Sequence, residues 1–160
     1  MNKLILCEGA TDAILLSYYL ERTAGWKFVR QPPQGVSIRA TEQNEEVTWY
    51  KKNNDYLLIC AVGGKDNFGK FFDDKIQKPL VMSDAFEKIA IVADRDNREV
   101  SEIETEASAF LKVPCGTIKN NQWNDCSYTN EFRMEKTFSA LLVVIPQEQQ
   151  GALETAMLAA

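Results

Sequence analysis

Four short apolar runs, each too short for a membrane-spanning helix and each bounded by turn residues, most constrain what this chain can fold into. They are Leu4-Ile5-Leu6-Cys7, the segment from Tyr56 to Val62, Ile89-Ala90-Ile91-Val92-Ala93, and the segment from Ala140 to Ile145. Each reads as a strand buried on both faces. Between them lie stretches with helical spacing. Ala13, Leu16 and Leu20 recur after Thr11, a candidate N-cap, and the pattern fades at Gly25. Phe68, Phe71, Phe72 and Ile76 mark a second apolar face that Pro79 should stop. Val100, Ile103, Ala107, Phe110 and Leu111 mark a third, behind the capping-box spacing of Ser101 and Glu104. Gly151-Ala152-Leu153-Glu154 opens a last helical stretch.

Strands alternating with helices predict an α/β domain: a compact, mostly parallel sheet with helices on both faces. Residues 26–55 and 115–137 break the pattern. They are turn-rich with β-prone pieces, and read as β-rich insertions. The three tryptophans, Trp26, Trp49 and Trp123, fall in these segments, where packing is a better use for them than base stacking. At 160 residues, 45% of them hydrophobic, the chain is read as a single domain spanning 1–160. No apolar stretch reaches membrane-spanning length and the start lacks a cleavable leader pattern, so a cytoplasmic protein with no membrane role is expected. Four cysteines without a Cys-x-x-Cys pair fit reduced, mostly buried thiols better than zinc. With no histidine, Ser-His and Cys-His nucleophile pairs are excluded.

Two of the apolar runs end in acidic residues: Glu8-Gly9 after the first, Asp94-Arg95-Asp96-Asn97 after the third. In an open α/β sheet, ligands collect at the carboxyl ends of the strands, so Glu8, Asp94 and Asp96 are expected on one rim. Asp94 and Asp96 are two apart at a strand end, so their side chains are expected to point the same way and to share a metal. Crowded carboxylates resist ionisation unless a cation joins them, and oxygen-only donors suit Mg²⁺ or Mn²⁺. Glu154 is a further candidate ligand or a first-turn glutamate favoured by the helix dipole. Gly63-Gly64-Lys65 lies between strand and helix, where backbone N–H groups can cradle phosphate, although the Walker ending is absent. Arg95 and Arg98 flank the acidic pair and could hold phosphate. Against these stand an ordinary solvated turn for Asp94-Arg95-Asp96 and a plain turn for Gly63-Gly64.

Glu8-Gly9 and Asp94-Arg95-Asp96, in this order and at strand ends, resemble the signature of the Toprim superfamily. The run Cys7-Glu8-Gly9-Ala10-Thr11-Asp12 looks like the opening of stand-alone members, and the Gly63–Asn67 and Gly151–Glu154 segments resemble features of a little-characterised branch of small ones. The resemblance implies a Toprim/Rossmann-like fold and a Mg²⁺-dependent nuclease or related phosphodiester-processing enzyme. Asp94 and Asp96 would hold the metal. Glu8 would act as general acid/base or as a further ligand, and Glu154 would matter most with two ions. Gly9, Gly63, Gly64, Lys65, Arg95 and Arg98 are the candidate phosphate or nucleic-acid contacts.

Eighteen basic against twenty-three acidic residues give a net charge of −5. Nucleic acid, DNA or RNA, would therefore be touched only locally, and a protein partner or a homodimer could supply basic surface. The alternative is a non-catalytic binding or adaptor module in a nucleic-acid-processing or defence system, like the superfamily's recombination member. A haloacid-dehalogenase-type phosphatase, built on Asp-x-Asp-x-Thr, is disfavoured because Arg98 stands at the threonine position.

Overall fold

A computed structural model describes residues 1–111 and 117–153. Seven strands form one sheet: β1 (Asn2–Cys7), β2 (Lys27–Val29), β3 (Glu46–Lys52), β4 (Asp55–Ala61), β5 (Lys88–Asp94), β6 (Trp123–Thr129) and β7 (Glu135–Ile145). Their spatial order is β2-β3-β4-β1-β5-β7-β6. The helices are α1 (Ala10–Ala24), α2 (Phe68–Phe71), α3 (Gln77–Ser83) and α4 (Val100–Phe110).

The four apolar runs are indeed strands, and they pair in parallel as β4-β1-β5-β7. The expectation of a mostly parallel, Toprim/Rossmann-like sheet is nevertheless wrong. β2 pairs with β3, β3 with β4, and β6 with β7, all antiparallel, so half of the six strand pairings are antiparallel and the sheet is mixed. The reason lies in the two segments read as insertions. They continue the sheet at both edges, each joined to the parallel centre through a strand that reverses direction. Short turns permit such reversals, whereas a parallel neighbour needs a long crossover.

Side-chain alternation divides the core. Leu4, Leu6, Leu58, Cys60, Ile89, Ile91, Leu142 and Val144 face α2, α3 and α4, where Phe71, Phe72, Ile76, Leu80, Ile103 and Ala107 meet them. Cys7, Leu57, Ile59, Ala61 and Val92 face the other way, against Ala13, Leu16 and Leu20 of α1. All three helical stripes thus face the sheet, with Leu16, Leu20, Val100 and Phe110 only partly buried.

Local boundaries differ. Gly9, rather than Thr11, caps α1, and the Asp12 carboxylate accepts the Gly9 N–H at 3.0 Å. The cap of α4 is Glu99, whose N–H donates to Glu102 at 2.8 Å, two residues earlier than the expected Ser101 box. The second helical stretch does not stop at Pro79. A π-helical turn (Phe72–Ile76) separates α2 from α3, which puts Pro79 in the first turn of a new helix, where the missing N–H costs nothing. Trp26 and Trp49 are buried as packing residues, while Trp123 is half exposed beneath the Lys88 ammonium. Cys7 and Cys60 are free and buried. Cys126, expected as a reduced thiol, is disulfide-bonded. No helix among the described residues is long and apolar enough to cross a membrane.

Candidate functional site

β1 lies between β4 and β5, and its register pairs Cys7 with Ala61 on one side and Val92 on the other. The chain leaving β1 therefore emerges beside the chains leaving both neighbours. The Glu8 carbonyl accepts the N–H groups of Gly63 at 3.0 Å and Gly64 at 2.9 Å. This draws the loop after β4 over the end of β1. Gly63 and Gly64 have φ of 87° and 132°, conformations that side chains disfavour, and Asn67 fastens the turn by donating to the Gly63 carbonyl at 2.9 Å.

The Glu8 side chain turns toward β5. Its Oε1 accepts the Asp94 N–H at 3.2 Å and lies 3.9 Å from Arg98 Nη2. Burial pushes the Glu8 carboxyl up to about 7, and the charges of Asp94 and Asp96 add to it; the Asp94 N–H and Arg98 act in the opposite sense. Asp94 ends β5, and its Oδ1 accepts the Leu153 N–H at 2.9 Å. The sequence therefore placed Glu8 and Asp94 together correctly.

Asp96 departs from expectation. β5 stops at Asp94, and Asp96 adopts a left-handed φ of 54°. Strand alternation no longer applies, so it does not set the direction of the Asp96 side chain. Asp96 instead forms a two-bond backbone bridge with Gly151 and reaches Glu8 as a nearby charge. Arg95 also turns away from the rim. Its guanidinium donates to the carbonyls of Gln147 at 2.8 Å and Arg98 at 3.0 Å and pairs with Glu99 at 3.3 Å. It thereby pins the chain after β7 to the acidic loop. Arg98 stays at the rim, donating to the Asp94 carbonyl at 3.1 Å and to Glu106 at 2.7 Å. Lys65 is exposed at the mouth. Glu154 lies outside the described residues.

Glu8, Gly9, Asp94, Gly63 and Gly64 line one cleft of about 530 Å³. The same cleft contains residues that sequence reasoning did not assign to a site: Asp12, Gln43, Asn44 and Glu46. Glu46 arrives because β3 runs antiparallel to β4, so its first residue pairs with Ala61, the last of β4. No local pattern announces this, since it depends on a long-range pairing. The Cys7 thiol beneath the rim registers the whole group. Burial raises it most, followed by the charges of Asp12, Asp94, Glu8 and Glu46.

The carboxylates at this rim are oxygen donors of the kind a hard cation takes, and Arg98 beside Glu8 offsets part of their charge. The convergence is limited, because among the described residues no three His, Cys, Asp or Glu side chains are grouped closely enough to hold one ion together. The Glu8 and Asp94 pair still suits Mg²⁺, which is commonly held by one or two carboxylates plus waters and substrate phosphate.

No protein-family model matches the chain, and no curated protein matches it. Among solved structures, a hypothetical protein from Pyrococcus horikoshii OT3 is similar in fold, with a TM-score of 0.65 and 18% identity over 99% of this chain and 64% of that one. The chain thus spans less than two thirds of that protein's length. A lactoylglutathione lyase from Agrobacterium tumefaciens aligns over 88% of this chain and 92% of its own at 14% identity, with a TM-score of 0.26, too low to support a common fold.

Proposed function

We propose that the protein is a Mg²⁺- or Mn²⁺-dependent nuclease or related phosphodiester-processing enzyme of the Toprim kind, acting in the cytoplasm on DNA or RNA through local contacts. One observation carries the reading: Glu8 and Asp94, from adjacent parallel strands, are hydrogen-bonded side by side in an open cleft beside the Gly63-Gly64 turn.

In this reading Glu8 and Asp94 hold the metal, which when bound would polarise the phosphodiester and stabilise charge on the leaving oxygen. Alternatively Asp94 alone holds the metal and Glu8, whose carboxyl is pushed up to about 7 in the metal-free protein, serves as general acid/base. Gly63 and Gly64 give a phosphate close access to the backbone, and Lys65 and Arg98 supply positive charge at the edge. Glu46 and Asp12 keep the cleft negative, which favours a cation-bridged phosphate over a bare one.

The test is cleavage of plasmid, single-stranded DNA and RNA with Mg²⁺ or Mn²⁺, by the wild type and by Asp94→Asn, alongside calorimetric metal binding. Cleavage and metal binding that both fall in the variant support the reading. Absence of metal binding at millimolar concentration, with nucleic acid present, overturns it.

A second reading, a non-catalytic binding or adaptor module working with a protein partner or as a homodimer, is favoured by one feature. The Asp96 backbone is bridged to Gly151 and the Arg95 guanidinium donates to the Gln147 carbonyl, so both residues help to hold the chain after β7. Metal binding without cleavage of any substrate would support it.

A further inference from the structure

Beside the carboxylate cleft, on the face covered by α2 and α4, lies a second cavity of about 380 Å³ that the proposed chemistry leaves unused. Its size falls within the range of small-ligand sites. Ile91, Ala93 and Leu142 form its floor, from β5 and β7. One wall is the Phe68–Phe110 pair, stacked at 5.5 Å with the rings 7° from parallel. Ala107 and Ala109 of α4 add small side chains to the lining of the slot, while Gly69 lets α2 approach α4 closely, since a Cβ there would lie 3.2 Å from Phe110 Cβ. The interior is therefore apolar and flanked by flat aromatic surface.

Its edge carries polar and charged residues. Lys65, Asp66, Arg98 and Glu106 stand there. Arg98 is shared by the two sites: Nη2 reaches the Asp94 carbonyl and approaches Glu8, while the residue lines the second cavity. Arg98 Nε is buried and has no hydrogen-bond partner. A buried donor without an acceptor is unfavourable, and a ligand acceptor would remove that cost. Lys65 directly follows Gly64 of the cleft and is exposed. A ligand suited to this arrangement has a flat, apolar-faced body for the slot, with acceptors and negative charge beside it for Arg98 and Lys65.

We propose that this cavity holds one unstacked nucleobase of a single-stranded nucleic acid whose adjoining phosphate lies against Arg98 and Lys65. The proposal deepens the nuclease reading and rests on it for the choice of ligand. It restricts the substrate to unpaired strands or frayed ends, because a base cannot enter the slot while stacked in a duplex. An acyl chain would fill the slot but leave the Arg98 donor unmatched.

The experiment measures binding of a short fluorescent oligothymidylate, a hairpin duplex and free thymidine, and follows cleavage with Mg²⁺ in parallel. The variants are Ala109→Phe, which narrows the slot, and Lys65→Ala, which removes charge at its mouth. Both positions are exposed, and melting curves check that the fold is kept. Expected is about a tenfold loss of oligothymidylate affinity in Ala109→Phe, a smaller loss in Lys65→Ala, and little change for the duplex. Thymidine should compete in the wild type. Unchanged oligothymidylate binding in both variants overturns the proposal, even if Asp94→Asn abolishes cleavage and the nuclease reading stands. Thymidine binding that Ala109→Phe removes, without cleavage of any substrate, keeps the base site and overturns the nuclease reading. Failure of the wild type to bind either thymidine or oligothymidylate, or occupation by a fatty acid instead, overturns the base site.

Discussion

The Asp94 backbone N–H donates to Glu8 Oε1 at 3.2 Å, joining residues 86 positions apart in the chain. The bond exists because β1 and β5 are neighbours in parallel register, so their ends coincide. It fixes the direction of one carboxylate by the backbone that carries the other. The Glu8 carboxylate cannot turn away without breaking this bond, while the Asp94 carboxylate is held separately by the Leu153 N–H.

Asp94→Asn keeps the backbone bond and the shape of the side chain but removes a negative charge. The expected outcome is a loss of metal-dependent cleavage on the order of 100-fold with little change in melting temperature. Asp96→Asn should cost less, because Asp96 lies in the Gly151 bridge rather than on the cleft wall. Kinetics on the two purified variants checks the order. Equal losses would contradict the roles assigned to them.

Glu8 makes stability depend on pH in the metal-free protein. Its ordinary value of 4.5 rises to about 7 on folding, so the folded state holds the proton more tightly than the unfolded one. That contribution is fully present below about pH 4.5 and is lost as pH rises through about 7. Glu8→Gln removes the slope. Denaturant titrations with a chelator present should show a flatter curve across this window, and a variant at least as stable as the wild type above it. Divalent metal should stabilise the wild type more than the variant at high pH.

Gly63→Ala tests the turn that brings β4 to the rim. A side chain there meets a φ of 87°, and its Cβ would lie 3.4 Å from Asn44 Cβ. The expected cost is about 1–2 kcal/mol, read as a lowered melting temperature. Gly9→Ala should be milder, since its φ of −133° is open to any residue and its Cβ would meet only Asp12 at 3.7 Å.

Arg95→Ala releases the chain after β7. Its guanidinium donates to the carbonyls of Gln147 and Arg98 and to the Glu99 carboxylate. Loss of these bonds should speed amide hydrogen exchange at Gly151 and Leu153 while leaving β5 protected. Uniform loss of protection across the sheet would argue for a general destabilisation instead.

The sequence made the centre of this molecule legible because its signals are local. Leu4 to Cys7 and Ile89 to Ala93 declare buried strands by composition, and Phe71, Phe72, Ile103 and Ala107 declare helix faces by spacing. Glu8 and Asp94 follow, since strand ends locate them. Strand direction at the edges is different: nothing within 26–55 states that β3 will lie antiparallel to β4 rather than apart from the sheet. The error about Asp96 has a similar origin. Two-residue alternation holds only while the strand lasts, and the left-handed turn one residue after Arg95 ends it. The second cavity was invisible for the same reason, being made by α2 and α4 coming together over β5 and β7.

The antiparallel course of β3 makes the acidic rim a composite of two independently variable parts. Glu8 and Asp94 belong to the parallel centre, and moving them would disturb four strands. Glu46, with Asn44 and Gln43 before it, is delivered by a lateral hairpin whose far strand, β2, touches only β3 within the sheet. Substitutions in that hairpin can alter charge and width at the opening while the central pair stays in register. The chain thus separates a central carboxylate pair held in register from an entrance whose charge and width the flanking hairpin sets by itself.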